Sequence, residues 1–356
     1  MPVSALVRTR NRTTATRYGM AAVAAACAAL LVAGCADQTD DASSIIRTTT
    51  NIAGAGVVGL ERDTAKACAL PTAPDQTAGT RLVTHAAGVT EVPADPQRIV
   101  VLTTSALDAT CALGLWERVV GAVTSDGPRP HPAYLGYGVT EIPGVGSAAQ
   151  PDLAKIAELR PDLILGGLPT GTANFNALRA IAPTVLVGTP NSWQAEFMAL
   201  GSGMDRRTAA TTALENYRAE ARNTGNALAA NQSQASVLRF TSDAIEIQGS
   251  DSFAGQVLAD VGVQRPAAQR GPSIDVRTGE LATEAEGDII YVDFAGEDGK
   301  TYGEKVLRTD EWKELGAATD RRVFAIEDSV WHGNGLTAAR ALLTDLQGTL
   351  NGYVTD

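Results

Sequence analysis

Thr103, Thr104 and Ser105 follow the short apolar run Arg98-Ile99-Val100-Val101-Leu102, where hydroxyl groups at a strand end can meet a ligand. Arg129, His131 and Tyr134 lie on a loop rich in Pro and Gly, residues 126–134. Farther on, Arg239 and Phe240 end another apolar run, Phe253 opens a helical pattern, and Trp331 precedes His332-Gly333-Asn334-Gly335. Guanidinium groups suit anionic oxygens, and aromatic rings suit flat or apolar faces. A large, negatively charged, partly aromatic ligand would satisfy Thr103, Ser105, Arg129, Tyr134, Arg239, Phe253 and Trp331 together. Phe240 and Phe253 also read as core, and Arg129 and Tyr134 as loop surface. Trp331 does not, because an indole in a glycine-rich loop has little core to join. A nucleophile elbow, a P-loop, a zinc-protease helix and a dinucleotide fingerprint are all missing. His85, His131 and His332 are too dispersed in sequence to suggest a metal cage. The pattern argues for binding rather than catalysis.

A second chemistry sits near the start. Arg8, Arg10, Arg12 and Arg17 precede an apolar stretch from Met20 to Val32, too short to span a bilayer. It ends Leu31-Val32-Ala33-Gly34-Cys35, which resembles the lipobox of bacterial lipoproteins. Residues 1–34 therefore read as a lipoprotein signal peptide, with Cys35 the acylated N-terminus, anchored on the extracytoplasmic face of the membrane. Two acyl chains suffice for stable attachment. Residues 35–79, with Asp40-Asp41-Ala42-Ser43-Ser44 and a Thr run, read as a flexible tether. Cys68 and Cys111 are the remaining thiols; outside the cytoplasm they form a disulfide or stay as two unrelated thiols.

The formal charge of -11 divides into a signal of +4 and a remainder of -15. So acidic a remainder argues against nucleic acid as a partner, since that affinity depends on clustered Lys and Arg.

The elements that must position these residues alternate strand and helix. Apolar runs at 98–102, 119–123, 163–165 and 183–187 suit parallel strands covered on both faces. Ser105 with Asp108 three residues on resembles a capping box opening the first helix. Pro151 opens a helix closed by Pro161. The theme recurs in strands at 237–241, 245–247, 288–292 and 323–326, with helices at 252–261, 281–286 and 336–350. Ala210, Leu214, Tyr217, Ala221 and Leu228 mark one helix of about 22 residues between the halves. It either bridges two lobes or packs within one. The expected architecture is two Rossmann-like α/β lobes (80–204 and 233–356) joined by a bridging helix at 205–232. A ligand then sits beyond the strand ends, between the lobes.

Pro96-Gln97-Arg98-Ile99-Val100-Val101-Leu102 with Ala106-Leu107-Asp108 and Ala112-Leu113-Gly114-Leu115 resembles the iron-siderophore substrate-binding proteins of ABC transporters. So do Leu159-Arg160-Pro161-Asp162-Leu163-Ile164, Asp251-Ser252-Phe253-Ala254-Gly255 and Asp328-Ser329-Val330-Trp331. The likeness spans about residues 91–346 and is closest to the ferric-citrate/ferric-enterobactin-like branch. It implies a class III, helical-backbone metal-receptor fold, an Fe(III)-siderophore ligand, an ABC permease partner, and a monomer that is not an enzyme. Where that family carries a surface Glu on each lobe for permease docking, this chain has Ala154 and Gly279, with Asp152 and Glu280 nearby. Two alternatives stay open: haem binding through Tyr134, His131 or His332, and an envelope interaction protein that no longer serves transport.

Overall fold

The computed structural model describes residues 50–125, 129–168 and 174–354. The signal-like segment, Cys35, residues 36–49 and loop positions 126–128 lie outside the described residues.

Ile99–Val101 is the centre of a five-stranded sheet. It pairs in parallel with Val119–Thr124 on one side and Leu163–Gly167 on the other. Gly144–Ser147 and Thr184–Val187 complete the order, again in parallel. The central strand is wholly buried, as an all-parallel sheet covered by helices on both faces requires. The helix after it, Thr104–Ala112, is capped by Thr103, whose hydroxyl accepts from the Ala106 amide. This corrects the capping box expected from Ser105 and Asp108: the cap lies two residues earlier, and Asp108 is committed elsewhere.

The second sheet has seven strands. Val323–Ala325, Ile289–Phe294 and Ala235–Phe240 run parallel at its middle. Ile245–Ile247 and Ile274–Val276 extend it in antiparallel fashion. The other edge comes from the N-terminal region. Asn51–Ile52 and Ala55–Val57 form a small hairpin, and Gly56 pairs in parallel with Phe324.

That pairing corrects the flexible tether over residues 50–79. Ala55-Gly56-Val57-Val58 is too short a run to announce a strand, yet it finds an open parallel edge whose residues come late in the sequence. Arg62 then ion-pairs with Glu327 and Asp345, each at 2.7 Å. Cys68 is disulfide-bonded to Cys111 of the first lobe, and Asp75 accepts from the Arg207 amide at 2.8 Å. Residues 50–79 are thus a strap that runs from the second sheet to the first lobe. A separate hairpin, Thr80–His85 with Gly88–Pro93, follows it.

The bridging helix is Arg207–Ala227. Its buried stripe of Ala210, Leu214, Tyr217 and Ala221 faces both lobes. Tyr217 packs edge-on against Trp193 of the first lobe at 5.0 Å, and its hydroxyl donates to Asp260 of the second at 2.9 Å. At Gly225 the helix passes the Val261 carbonyl so closely that a Cβ would lie 1.9 Å from its oxygen.

Candidate functional site

The carboxyl end of Ile99–Val101 delivers Thr103, Thr104 and Ser105 to a cleft of about 500 Å³ between the lobes. The first lobe adds Arg129, His131 and Pro132; the second adds the turn from Glu327 to Asn334. That turn is built on a strand end too. Val323–Ala325 finishes, Asp328–Trp331 makes one helical turn, and Asp328, Ser329 and His332 face the cleft.

Trp331 holds the turn in place from beneath. Its ring lies 4.4 Å from Tyr291, its Nε1 donates to Asp345 at 2.9 Å, and it is 1% exposed. This corrects its expected ligand contact. The glycine-rich loop does have a core to join, supplied by Ile289–Phe294 and the last helix, Leu336–Thr349. Phe253 is likewise buried, edge-on to Trp193 at 5.8 Å. Tyr134 is 2% exposed and donates its hydroxyl to Asp108 at 3.0 Å. All three aromatic residues are buried in the core.

Asp108, expected in a local capping box, has a different role that the sequence does not reveal. Fully buried, its carboxylate accepts from the Thr337 and Ala338 amides, each at 2.9 Å, at the start of the last helix. A carboxylate there satisfies orphan N–H groups and meets the positive end of the helix dipole. Gly335 admits it, because a Cβ at that position would stand 2.2 Å from the Asp108 carboxyl carbon. Burial pushes the Asp108 pKa up, while the amide and Tyr134 hydrogen bonds pull it back. A second contact crosses the cleft floor: Glu196 accepts from Ser105 of the first lobe and from Asn334 of the second.

The two arginines differ. Arg129 is exposed in the cleft. Arg239 is half-buried beneath it, with Nε 2.7 Å from Asp328 and 3.5 Å from Asp293, and its Nη1 3.7 Å from Glu246. Burial and then the nearby Asp328 push the Asp293 carboxyl well above the usual carboxylate range. Asp328, with Glu246 beside it, already neutralises Arg239, which corrects its expected role as an anion receptor for the ligand. Among the described residues, no group of three or more His, Cys, Asp and Glu is arranged to hold a metal ion, and no helix is long and apolar enough to cross a membrane.

The family model described as periplasmic binding protein matches residues 99–330, more than half of the chain, and spans both lobes and the bridge. The chain belongs to the periplasmic binding protein family. It is 29% identical over 285 residues to a relative in Bacillus subtilis (strain 168) named a probable siderophore-binding lipoprotein, covering 75% of this chain and 87% of that one. It is 25% identical to the Fe(3+) dicitrate-binding periplasmic protein of Escherichia coli (strain K12), covering 70% of this chain and 83% of that one. Among solved structures, Staphylococcus aureus SirA complexed with staphyloferrin B matches with a TM-score of 0.64 and 25% identity, over 76% of this chain and 99% of that one. The family is one of substrate-binding transport proteins, not enzymes.

For this periplasmic binding protein the haem alternative is not favoured. Tyr134 is engaged by Asp108, and His131 is buried with Nε2 2.9 Å from the Ile142 carbonyl. Only His332, of the three expected axial ligands, faces the cleft exposed.

Proposed function

We propose that this chain captures an Fe(III)-siderophore chelate in the cleft between its lobes and presents it to an ABC permease for iron uptake. The observation that carries this reading is the coincidence of the cleft with the carboxyl ends of parallel strands in both lobes, in a family whose relatives are named for binding siderophores and Fe(3+) dicitrate. Thr103, Ser105 and Arg129 contact the ligand, with Arg129 meeting its negative charge. Asp328, Ser329 and His332 form the opposite wall. A lipid on Cys35 holds the monomer at the extracytoplasmic face, and residues 80–204 and 233–356 act as the lobes about the bridge at 205–232.

Permease docking uses other carboxylates than those usual in the family. Ala154 is exposed in the first turn of a helix capped by Asp152. Gly279 has φ +101°, and its amide donates to Glu311 at 2.7 Å. A side chain is strained at that φ, so the neighbouring Glu280 presents the charge on the second lobe and Asp152 on the first.

The test is a tryptophan-fluorescence titration of residues 36–356 with ferric citrate, a ferric catecholate, haemin and cobalamin. Saturable quenching by a ferric chelate at micromolar concentration or below is expected. Saturation by haemin or cobalamin alone, or by none of the four, refutes the reading.

A further inference from the structure

Beside the cleft lies a larger cavity of about 800 Å³, joined to it through Arg129, Ala133 and Glu327, which line both. Its walls come from three parts of the chain. Residues 57–64 of the strap form one; the loop from Arg129 to Glu141 forms another. Phe294, Ala325 and Ile326 form the third, at the carboxyl ends of two parallel strands. Leu60, on the strap, and Tyr137, on the loop, line this cavity, yet are 68% and 78% exposed. Large side chains with apolar faces left uncovered at a concave space of ligand size mark a binding place. The polar groups are placed asymmetrically. Arg62 is held by Glu327 and Asp345. Arg129, at the junction with the cleft, carries no ion pair among the described residues.

We infer that residues 57–64 are a third wall of the ligand compartment, and that this cavity is a subsite for an apolar or aromatic arm of an anionic chelate whose charged part meets Arg129. The inference rests on the ferric-chelate reading for the identity of the ligand, though not for the subsite itself. The strap lies before the stretch that matches the family model, which begins at residue 99. Any selectivity it confers is therefore supplied by residues outside that stretch and not by the lobes alone. An amphiphilic chelate fits such a compartment better than a compact one: its head neutralises Arg129 while its arm removes Leu60 and Tyr137 from water.

The test uses the L60S/Y137S double variant, whose parent side chains are exposed, with its fold checked by circular dichroism. One probe is 8-anilinonaphthalene-1-sulfonate, an anionic aromatic dye that needs no iron. The others are two ferric citrate-hydroxamate chelates with the same iron-binding head, one carrying an octanoyl chain. The double variant should weaken dye and acylated chelate about tenfold or more and leave the unacylated chelate within about twofold; R129Q should weaken the dye as well. Dye binding unchanged in the double variant, or equal weakening of both chelates, overturns the subsite. If wild-type protein binds no ferric chelate but its dye affinity depends on Leu60 and Tyr137, the ferric-chelate reading fails and the subsite for an anionic amphiphile stands.

Discussion

The carboxylate of Asp108 accepts the Thr337 amide at 2.9 Å across 229 residues of sequence. It is a helix cap provided by the opposite lobe. With the Ala338 amide and the Tyr134 hydroxyl on its other oxygen, it fixes the first helix of one lobe against the last helix of the other. Asp108→Ala leaves three buried donors unpaired and should cost about 3 kcal/mol in urea unfolding. Tyr134→Phe, which removes one neutral partner, should cost about 1 kcal/mol. An Asp108→Ala loss as small as that of Tyr134→Phe would show that the cap contributes nothing beyond one hydrogen bond.

The two arginines should separate in binding experiments. Arg129→Gln removes an exposed charge that has no ion pair among the described residues, so affinity for ferric citrate should fall about tenfold, or ~1.4 kcal/mol, with stability unchanged. Arg239→Gln takes the cation from Asp328, Asp293 and Glu246. It should lower the thermal midpoint while the affinity of the surviving folded protein changes less than in Arg129→Gln. Titration and melting of both variants decide the matter; the reverse ranking contradicts the assignment.

Asp293 predicts an uncommon pH dependence. Its folded pKa is raised, by burial first and then by Asp328, with Glu246 adding to the effect and Arg239 opposing it. An acid with a raised folded pKa costs stability wherever it is ionised, and the cost disappears as pH falls through the folded value toward the unfolded one. The contribution of Asp293 therefore makes the protein more stable near pH 5 than near pH 8. Asp293→Asn should raise the melting midpoint, and raise it more at pH 8 than at pH 5. A midpoint lowered equally at both pH values would mean that the carboxyl is needed for its shape alone.

Removing the Cys68–Cys111 disulfide should loosen the strap more than the lobes. It closes a loop with a sequence separation of 43, for which chain entropy gives about 4 kcal/mol. In Cys68→Ala/Cys111→Ala, amide hydrogen exchange should accelerate across residues 57–72 first, with Ile99–Val101 still protected. Uniform acceleration would show that strap and lobes open as one unit.

Much of the scaffold was legible because parallel, doubly covered strands leave continuous apolar runs, as at Ile99–Val101 and Ile289–Phe294. The bridge was legible from the spacing of Ala210, Leu214, Tyr217 and Ala221. Arg129 read equally as a cleft cation or as loop surface, and only the fold shows that its exposed guanidinium lines the cleft. Trp331 misled because its partners, Tyr291 and Asp345, are brought beneath it only by the folded sheet and last helix. Asp108 misled in another way: its spacing from Ser105 imitates a local cap, and no short-range pattern can reveal that the helix it caps begins beyond residue 335. Residues 55–58 carried too few apolar positions for a strand to be read without sight of the Val323–Ala325 edge they join.

The pairing of Gly56 with Phe324 also sets an order of events. A strand made among the first emerges without a neighbour and stays so until nearly the whole chain has followed. The central strands of the second sheet can assemble sooner, whereas its outer edge is finished last, by residues that have waited longest. A chain cut short before Val323 would lose the platform on which the strap, and with it one side of the ligand compartment, is laid down.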